Sequence, residues 1–100
     1  MKFVVLFEDD GAASEDLRRK HMPEHLAFLE RNAVRVQAAG PLKTADDQGA
    51  GGLWVVEARH PSEVDALVRE DPFWPTGLRK SVRILVWTQV FADGRRLVTV

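Results

Sequence analysis

Apolar and polar residues follow two kinds of spacing along the chain, and these spacings predict four strands and two main helices. Short β-branched and aromatic runs bounded by Gly, Pro, Asp or Ser are typical of strands. The predicted strands cover residues 2–8, 34–40, 52–58 and 81–90. Apolar residues three or four positions apart predict amphipathic helices over residues 23–33 and 60–71.

Proline is expected to set the helix boundaries. Residues 14–20 are predicted to form a separate turn or two of helix, with Ser14 as a cap. Pro23 is then expected to interrupt, because the residue before a proline is biased away from the α conformation. Proline itself suits the first turn of a helix, so Pro23 is also expected to open the next one.

Two pairs of residues that each contain a glycine are expected to form turns after strands. Gly40–Pro41 is predicted to end the second strand in a turn. Asp93–Gly94 predicts a hairpin turn that leads into a short tail strand over residues 96–100.

The order strand, helix, strand, strand, helix, strand predicts a single α+β domain over residues 1–100, with the ferredoxin-like βαββαβ arrangement. Such a sheet carries both helices on one face. The first, third and fourth predicted strands are apolar on both faces, which indicates that both faces of the sheet are buried. Since no further segment is left to cover the second face, we predict a homodimer that packs sheet against sheet, or a higher oligomer built from it.

Composition narrows the class of protein. The chain is 45% hydrophobic and 29% charged with a formal net charge of -1, which is typical of a globular domain without nucleic-acid or membrane partners. It has no cysteine, so disulfides and thiolate sites are excluded. The apolar run near the N-terminus is too short for a signal peptide or a membrane span, and the protein is expected to be cytoplasmic.

Each predicted helix directs one titratable side chain toward the sheet. His25 lies within the apolar stripe of the first helix, and Asp71 continues the stripe that begins at Val64 in the second. Burying an unpaired charge is costly, and the helix dipole disfavours a carboxylate at a helix C-terminus. We therefore expect the two side chains to lie within hydrogen-bond reach or one water apart, an arrangement that general bases use.

Simpler interpretations stay open for each of these residues. His25 alone is compatible with a histidine satisfied in the core, and Asp71 with a helix-ending residue bonded to local backbone. His21 would share a helix face with His25 only if the helix continued through Pro23. No third ligand is evident, so no metal site is predicted. His60 is interpreted as a surface residue.

An aromatic loop bracketed by prolines follows the acid directly. Phe73 and Trp74 are predicted to form an apolar wall of a ligand pocket beside Asp71. Gly40 and Pro41 are candidates for close backbone approach to the same ligand, with a plain turn as the alternative.

Several segments, in their order and spacing, resemble the YCII-related (YciI-like) domain family: "HMPEHLAFLERN", "AAGPL", "GGLWVVEA", "REDPFWPTGL" and "VRILVWTQVFADG". The resemblance covers nearly the whole chain, and the tail beyond Gly94 is less characteristic. It implies a dimeric α/β barrel, related in fold to muconolactone isomerases and cofactor-free monooxygenases. It also implies an active site that pairs the His of the "HL" segment with the Asp of the "DP" segment, here His25 and Asp71.

Three functions remain in competition at this point. The first is a cofactor-independent enzyme in which His25 moves a proton to or from carbon and Asp71 orients it. Isomerisation or halide elimination would suit this pair, and the family resemblance implies a dehydrochlorinase among the relatives. Phe73 and Trp74 would hold a small, partly apolar substrate. The second is a small-molecule binding module without catalysis, and the third is a structural dimeric protein.

Overall fold

Four strands and two helices make up the body of the protein, and a small hairpin follows them. The computed structural model describes residues 1–11 and 14–99, without the side chain of Ser14. The capping role predicted for Ser14 therefore lies outside the described part. In chain order the elements are β1 (Lys2–Asp9), α1 (Ser14–Arg31), β2 (Val36–Lys43), β3 (Gly49–Glu57), α2 (Pro61–Glu70), β4 (Arg79–Val86), β5 (Phe91–Ala92) and β6 (Arg95–Arg96).

Strand β1 lies inside a four-stranded antiparallel sheet of order β2-β3-β1-β4. Val5 at its centre is paired with Trp54 of β3 on one side and Ile84 of β4 on the other. Each helix follows one strand and leads to another that is not its neighbour, as in ferredoxin-like folds. The predicted α+β ferredoxin-like fold class is confirmed.

The hydrophobic core lies between one face of this sheet and the two helices. Successive side chains of a strand point to opposite faces, so alternate residues of the strands meet the helices. The core includes Phe3, Val5, Phe7, Val36, Trp54 and Val56 from the sheet and Phe28, Val64, Leu67 and Val68 from the helices. Each buried side chain of this size contributes about 1.5–3 kcal/mol, so this cluster is the main source of stability.

The predicted interruption at Pro23 is wrong. Helix α1 runs without a break from Ser14 to Arg31, with Pro23 in its interior. A proline there cannot donate to the carbonyl of Arg19, which weakens the helix locally. The helix continues through Pro23 because its inner face, which includes Phe28 and Leu29, packs against the core. A local conformational preference is thus overridden by burial of the helix face.

Gly40–Pro41 does not end the second strand, contrary to the prediction. Strand β2 continues through both residues to Lys43, and β3 begins at Gly49, earlier than predicted. Pro41 is paired with Gly52 on an edge strand of the sheet. An edge position tolerates proline, because the missing N–H can face solvent instead of a neighbouring strand.

The second helix lies close to its predicted position, whereas β4 is shifted toward the N-terminus and ends at Val86 instead of the predicted residue 90. Helix α2 begins at Pro61, and the exposed His60 caps it by accepting the Ser62 N–H at 3.1 Å. Strand β4 begins at Arg79, two residues before the predicted start. This shift is important for the site described below.

The predicted hairpin turn at Asp93–Gly94 is present between β5 and β6. Both residues have positive φ, 52° and 74°, as a two-residue hairpin turn of type I′ requires. The tail strand is much shorter than predicted, because β6 covers only Arg95–Arg96 and the following residues to Thr99 are not paired as a strand. Val100 lies outside the described part.

Gly51 marks a close approach between β3 and β1. Its φ is +88°, and a Cβ atom at this position would lie 1.8 Å from the backbone oxygen of Phe7. Both the backbone conformation and the lack of space require glycine.

The sheet face opposite the helices is also apolar. Val4 is paired with Val55 and Leu85, and Leu6 is paired with Leu53. These side chains are only partly covered in the single chain. A contiguous apolar face of this kind is typical of an interaction surface.

No helix in the described part of the chain is long and apolar enough to cross a membrane.

We expect this face to be covered by a second copy of the chain, with an interface of at least roughly 1,600 Å². Sedimentation velocity at micromolar concentration should give a dimer for the wild type. Val4→Glu should give a monomer, because it places a charge at the centre of the face, whereas Val34→Glu, at a site that is 92% exposed, should leave the dimer intact. A monomeric wild type would contradict the assignment.

Candidate functional site

The carboxylate of Asp71 is the centre of a buried polar cluster. Asp71 directly follows α2 and is 0% exposed. Its Oδ1 accepts the backbone N–H of Phe73 at 3.1 Å and lies 2.9 Å from Nδ1 of His25. Its Oδ2 accepts a hydrogen bond from Nη1 of Arg79 at 2.7 Å. The carboxylate therefore holds together helix α1, the turn after α2 and strand β4.

His25 reaches Asp71 from the middle of α1, where the side chain is 7% exposed. Oδ1 of an ionised carboxylate can only accept, so Nδ1 of the imidazole is the donor in this contact. A neutral ring that donates from Nδ1 keeps its lone pair on Nε2. The two residues that each interrupt an apolar helix stripe are thus brought together in one contact.

Burial and hydrogen bonding act on the pKa of Asp71 in opposite directions. Burial alone would raise this pKa. The hydrogen bond from His25, the positive charge of Arg79 and the N–H of Phe73 act against burial, and the resulting pKa lies below its ordinary value. Asp71 is therefore an anion in the folded protein, and its charge is balanced by the Arg79 guanidinium.

Sequence reasoning did not identify Arg79. Its side chain is 5% exposed, and its guanidinium lies 3.8 Å from the centroid of the Phe7 ring. The register of β1 and β4 shifts after Glu8, so that Asp9 is paired with Arg79 and Lys80 is passed over. Counting alternate residues back from Val82 would instead turn Lys80 toward the helices. Nothing in the pattern of apolar residues reveals such a bulge.

A second ion pair lies near the first. Arg18 on α1 donates from Nη2 to Oδ2 of Asp9, the last residue of β1. Oδ1 of Asp9 is buried and has no hydrogen-bond partner among the described residues. Asp9 continues the inward-facing series of Phe3, Val5 and Phe7, one residue beyond the predicted end of the strand at residue 8.

A cavity of about 100 Å³ opens between α1 and the sheet. Its apolar walls include Met22, Leu29 and Trp54. Its polar lining consists of the four residues His25, Arg79, Asp9 and Arg18. Gly40 and Pro41, the candidates for backbone contact with a ligand, also line it, as part of strand β2.

Phe73 and Trp74 do not form a wall of this cavity, contrary to expectation. Phe73 is completely buried and packs against the imidazole of His25, with ring centroids 4.6 Å apart. The hydrogen bond from its N–H to Asp71 draws it inward. Trp74 begins a short 3₁₀ turn and is 38% exposed, with the guanidinium of Arg69 5.2 Å from its ring centroid.

Comparison with known proteins places the chain in a family. Residues 1–88 match the YCII-related domain. The chain belongs to the YCII-related domain family. The resemblance inferred from the sequence is confirmed over most of the chain.

One solved structure similar to this YCII-related domain is 5-chloro-2-hydroxyhydroquinone dehydrochlorinase (TftG) from Burkholderia phenoliruptrix, in complex with 2,5-dihydroxybenzoquinone. The two are 28% identical with a TM-score of 0.76, and the match covers 88% of this chain and 94% of that one. At3g17210 from Arabidopsis thaliana is 14% identical with a TM-score of 0.48, over 92% and 97% of the two chains. No protein of curated function matches the chain.

The residues that could bind a metal are few in this YCII-related domain. No group of three or more His, Cys, Asp or Glu side chains that could hold a metal ion occurs in the described part. Because α1 is continuous, His21 lies one turn before His25. Nδ1 of His21 lies 3.8 Å from Oε2 of Glu24 on the same helix.

The lowered pKa of Asp71 predicts a specific acid sensitivity. As pH falls below the ordinary value of 3.8, the unfolded chain takes up a proton at Asp71 before the folded protein does. The stabilisation given by the charged carboxylate is therefore complete above about pH 5 and is lost as pH falls through the lowered folded-state pKa.

We expect Asp71→Asn to lower the free energy of unfolding by about 3 kcal/mol at neutral pH, since it leaves the buried Arg79 without its counter-charge. Urea titrations between about pH 5 and about pH 2 should also show a shallower loss of stability than in the wild type. Asp16→Asn, which removes an exposed carboxylate, is the matched control. If the free energy of unfolding falls equally steeply with pH in Asp71→Asn and in the wild type, the lowered pKa of Asp71 is contradicted.

Proposed function

We propose that this YCII-related domain is an enzyme that moves a proton on a small, partly apolar ring compound. His25 acts as the general base and then the general acid, and Asp71 orients it. The observation that carries the proposal is the 2.9 Å contact between His25 Nδ1 and Asp71 Oδ1, made by an imidazole that also lines a cavity.

The contact with Asp71 supports this role in two ways. It occupies Nδ1, so that Nε2 is the nitrogen left to exchange a proton with a ligand. It also places a negative charge beside the imidazolium that forms when His25 accepts a proton. The buried ring of Phe73 packs against the imidazole and limits its tilt. Phe73 thus supports the base instead of contacting the substrate.

The size and lining of the cavity suit a single ring. The cavity of about 100 Å³ is smaller than the cavity of about 150 Å³ that holds benzene, so it limits a ligand to a single ring, part of which would lie at the open side of the site. Trp54 and Leu29 provide apolar contact for its faces. Gly40 and Pro41 are proposed to contact the ring at the edge formed by β2.

We propose elimination of hydrogen chloride from a chlorinated hydroxyhydroquinone, or a closely related isomerisation, as the reaction. The similarity to a dehydrochlorinase at 28% identity supports this choice. In such an elimination the base takes a proton, the electrons of that bond form a new double bond, and chloride leaves with the electrons of its bond to carbon. The balance requires no oxidant or reductant, and for that reason we propose a cofactor-independent reaction.

Release of chloride from 5-chloro-2-hydroxyhydroquinone tests the proposal. We expect turnover by the wild type and a decrease of about 10²–10⁴-fold in kcat for His25→Ala, which removes the base. Asp71→Asn should also lose activity, because the orientation of His25 depends on the carboxylate. His60→Asn is the control, since it removes an exposed imidazole and keeps a capping side chain.

Circular dichroism and melting temperature should show that the inactive variants are folded. Full activity of a folded His25→Ala protein would overturn the assignment of the base. If the wild type binds 2,5-dihydroxybenzoquinone but turns over neither the chlorinated substrate nor lactone isomerisation substrates, the domain is a binding module instead.

A further inference from the structure

Oδ1 of Asp9 is a buried acceptor without a donor in the described part of the chain. Buried carboxylate oxygens in native proteins are nearly always hydrogen-bonded, so another molecule is expected to supply the missing donor. Asp9 lines the same cavity as His25, and Arg18 occupies its other oxygen. The terminal torsion of an aspartate is soft, so a small rotation can turn an oxygen toward the cavity while the contact with Arg18 is kept.

Arg79 places hydrogen-bond donors beside this acceptor. Its Nη1 donates to Asp71, and no other hydrogen bond from the guanidinium occurs within the described residues. The face of the guanidinium is covered by the Phe7 ring at 3.8 Å, so its remaining N–H groups point along its edge. The bulge between β1 and β4 pairs Arg79 with Asp9, and both side chains line the cavity.

This pair of neighbours is complementary to a hydroxyl group. An arginine can only donate, an ionised aspartate can only accept, and a hydroxyl does both. An ether oxygen or a halogen at the same place could use Arg79 but would leave Asp9 unsatisfied. We propose that Asp9 and Arg79 together bind a hydroxyl substituent of the substrate ring, so that the enzyme selects hydroxylated rings.

The proposal deepens the function proposed above and rests on it for the ring-shaped ligand. Arg79 touches Asp71 on one side and adjoins Asp9 on the other, so it links the hydroxyl site to the base. A ring held by one hydroxyl at Asp9 and Arg79 can then present a different position to His25. Asp9 is a binding residue in this arrangement, and His25 remains the residue that moves the proton.

Binding of two ligands that differ only at one oxygen tests this site without any turnover. The probes are 4-chlorophenol and 4-chloroanisole, the phenol and its methyl ether, titrated into the full chain and followed by NMR chemical shifts. We expect the wild type to bind the phenol about tenfold more tightly or better, because the ether leaves a buried acceptor unpaired.

Asp9→Asn should remove this preference. Its amide oxygen is drawn to the donor Arg18, which leaves the amide N–H₂ facing the ligand and exchanges an acceptor for a donor. Arg18→Gln should weaken the binding of both ligands alike and keep the ratio of their affinities. A change of this ratio would mean that Asp9 acts only by holding Arg18. His25→Gln should also keep the ratio, unless the phenol binds at the base.

Four results would overturn the proposal. They are a wild type that binds both ligands equally, a folded Asp9→Asn protein that keeps the preference, a loss of preference in Arg18→Gln equal to that in Asp9→Asn, and a loss of preference in His25→Gln. The first would mean that water alone satisfies Asp9. Because the readout is affinity, a failure of chloride release in the activity assay leaves this test unaffected, and the two proposals can fail separately.

Discussion

A single buried negative charge constrains how the rest of the molecule is arranged. The Asp71 carboxylate has no access to solvent and takes its hydrogen bonds from His25, Arg79 and the backbone of Phe73. A buried ion is tolerated only where its partners are all in place, and loss of one partner leaves an uncompensated charge. The rotation of α1, the end of α2 and the bulge between β1 and β4 must therefore be correct at the same time.

The architecture could be predicted from the sequence because periodicity reports which face of an element is buried. The strand that contains Val5 and the helix that contains Leu67 are unambiguous by this criterion. The boundaries were less predictable where local rules and packing disagree. Pro23 and Pro41 both favour a break when considered alone, but the helix is held by its buried face and the strand by an edge position.

Half of the candidate site was visible in the sequence, for a physical reason. His25 and Asp71 each replace an apolar residue in an otherwise regular helix stripe, and such a replacement can be recognised from the sequence alone. Arg79 and Asp9 are brought in by a register shift between strands distant in the chain, which no local pattern records. The prediction that Trp74 lines the pocket was wrong, because the direction of a side chain in a short turn depends on contacts that form only in the folded protein.

The glycine at position 51 shows how a site can depend on a residue that never meets a ligand. Gly51 allows β3 to lie directly against the backbone of Phe7. The ring of Phe7 in turn packs against the Arg79 guanidinium. Any side chain at position 51 would push this backbone away, and the guanidinium would move with its support. The geometry of the candidate site would then be disturbed through the main chain. A genetic screen would register it as a remote effect, although it has a direct steric origin.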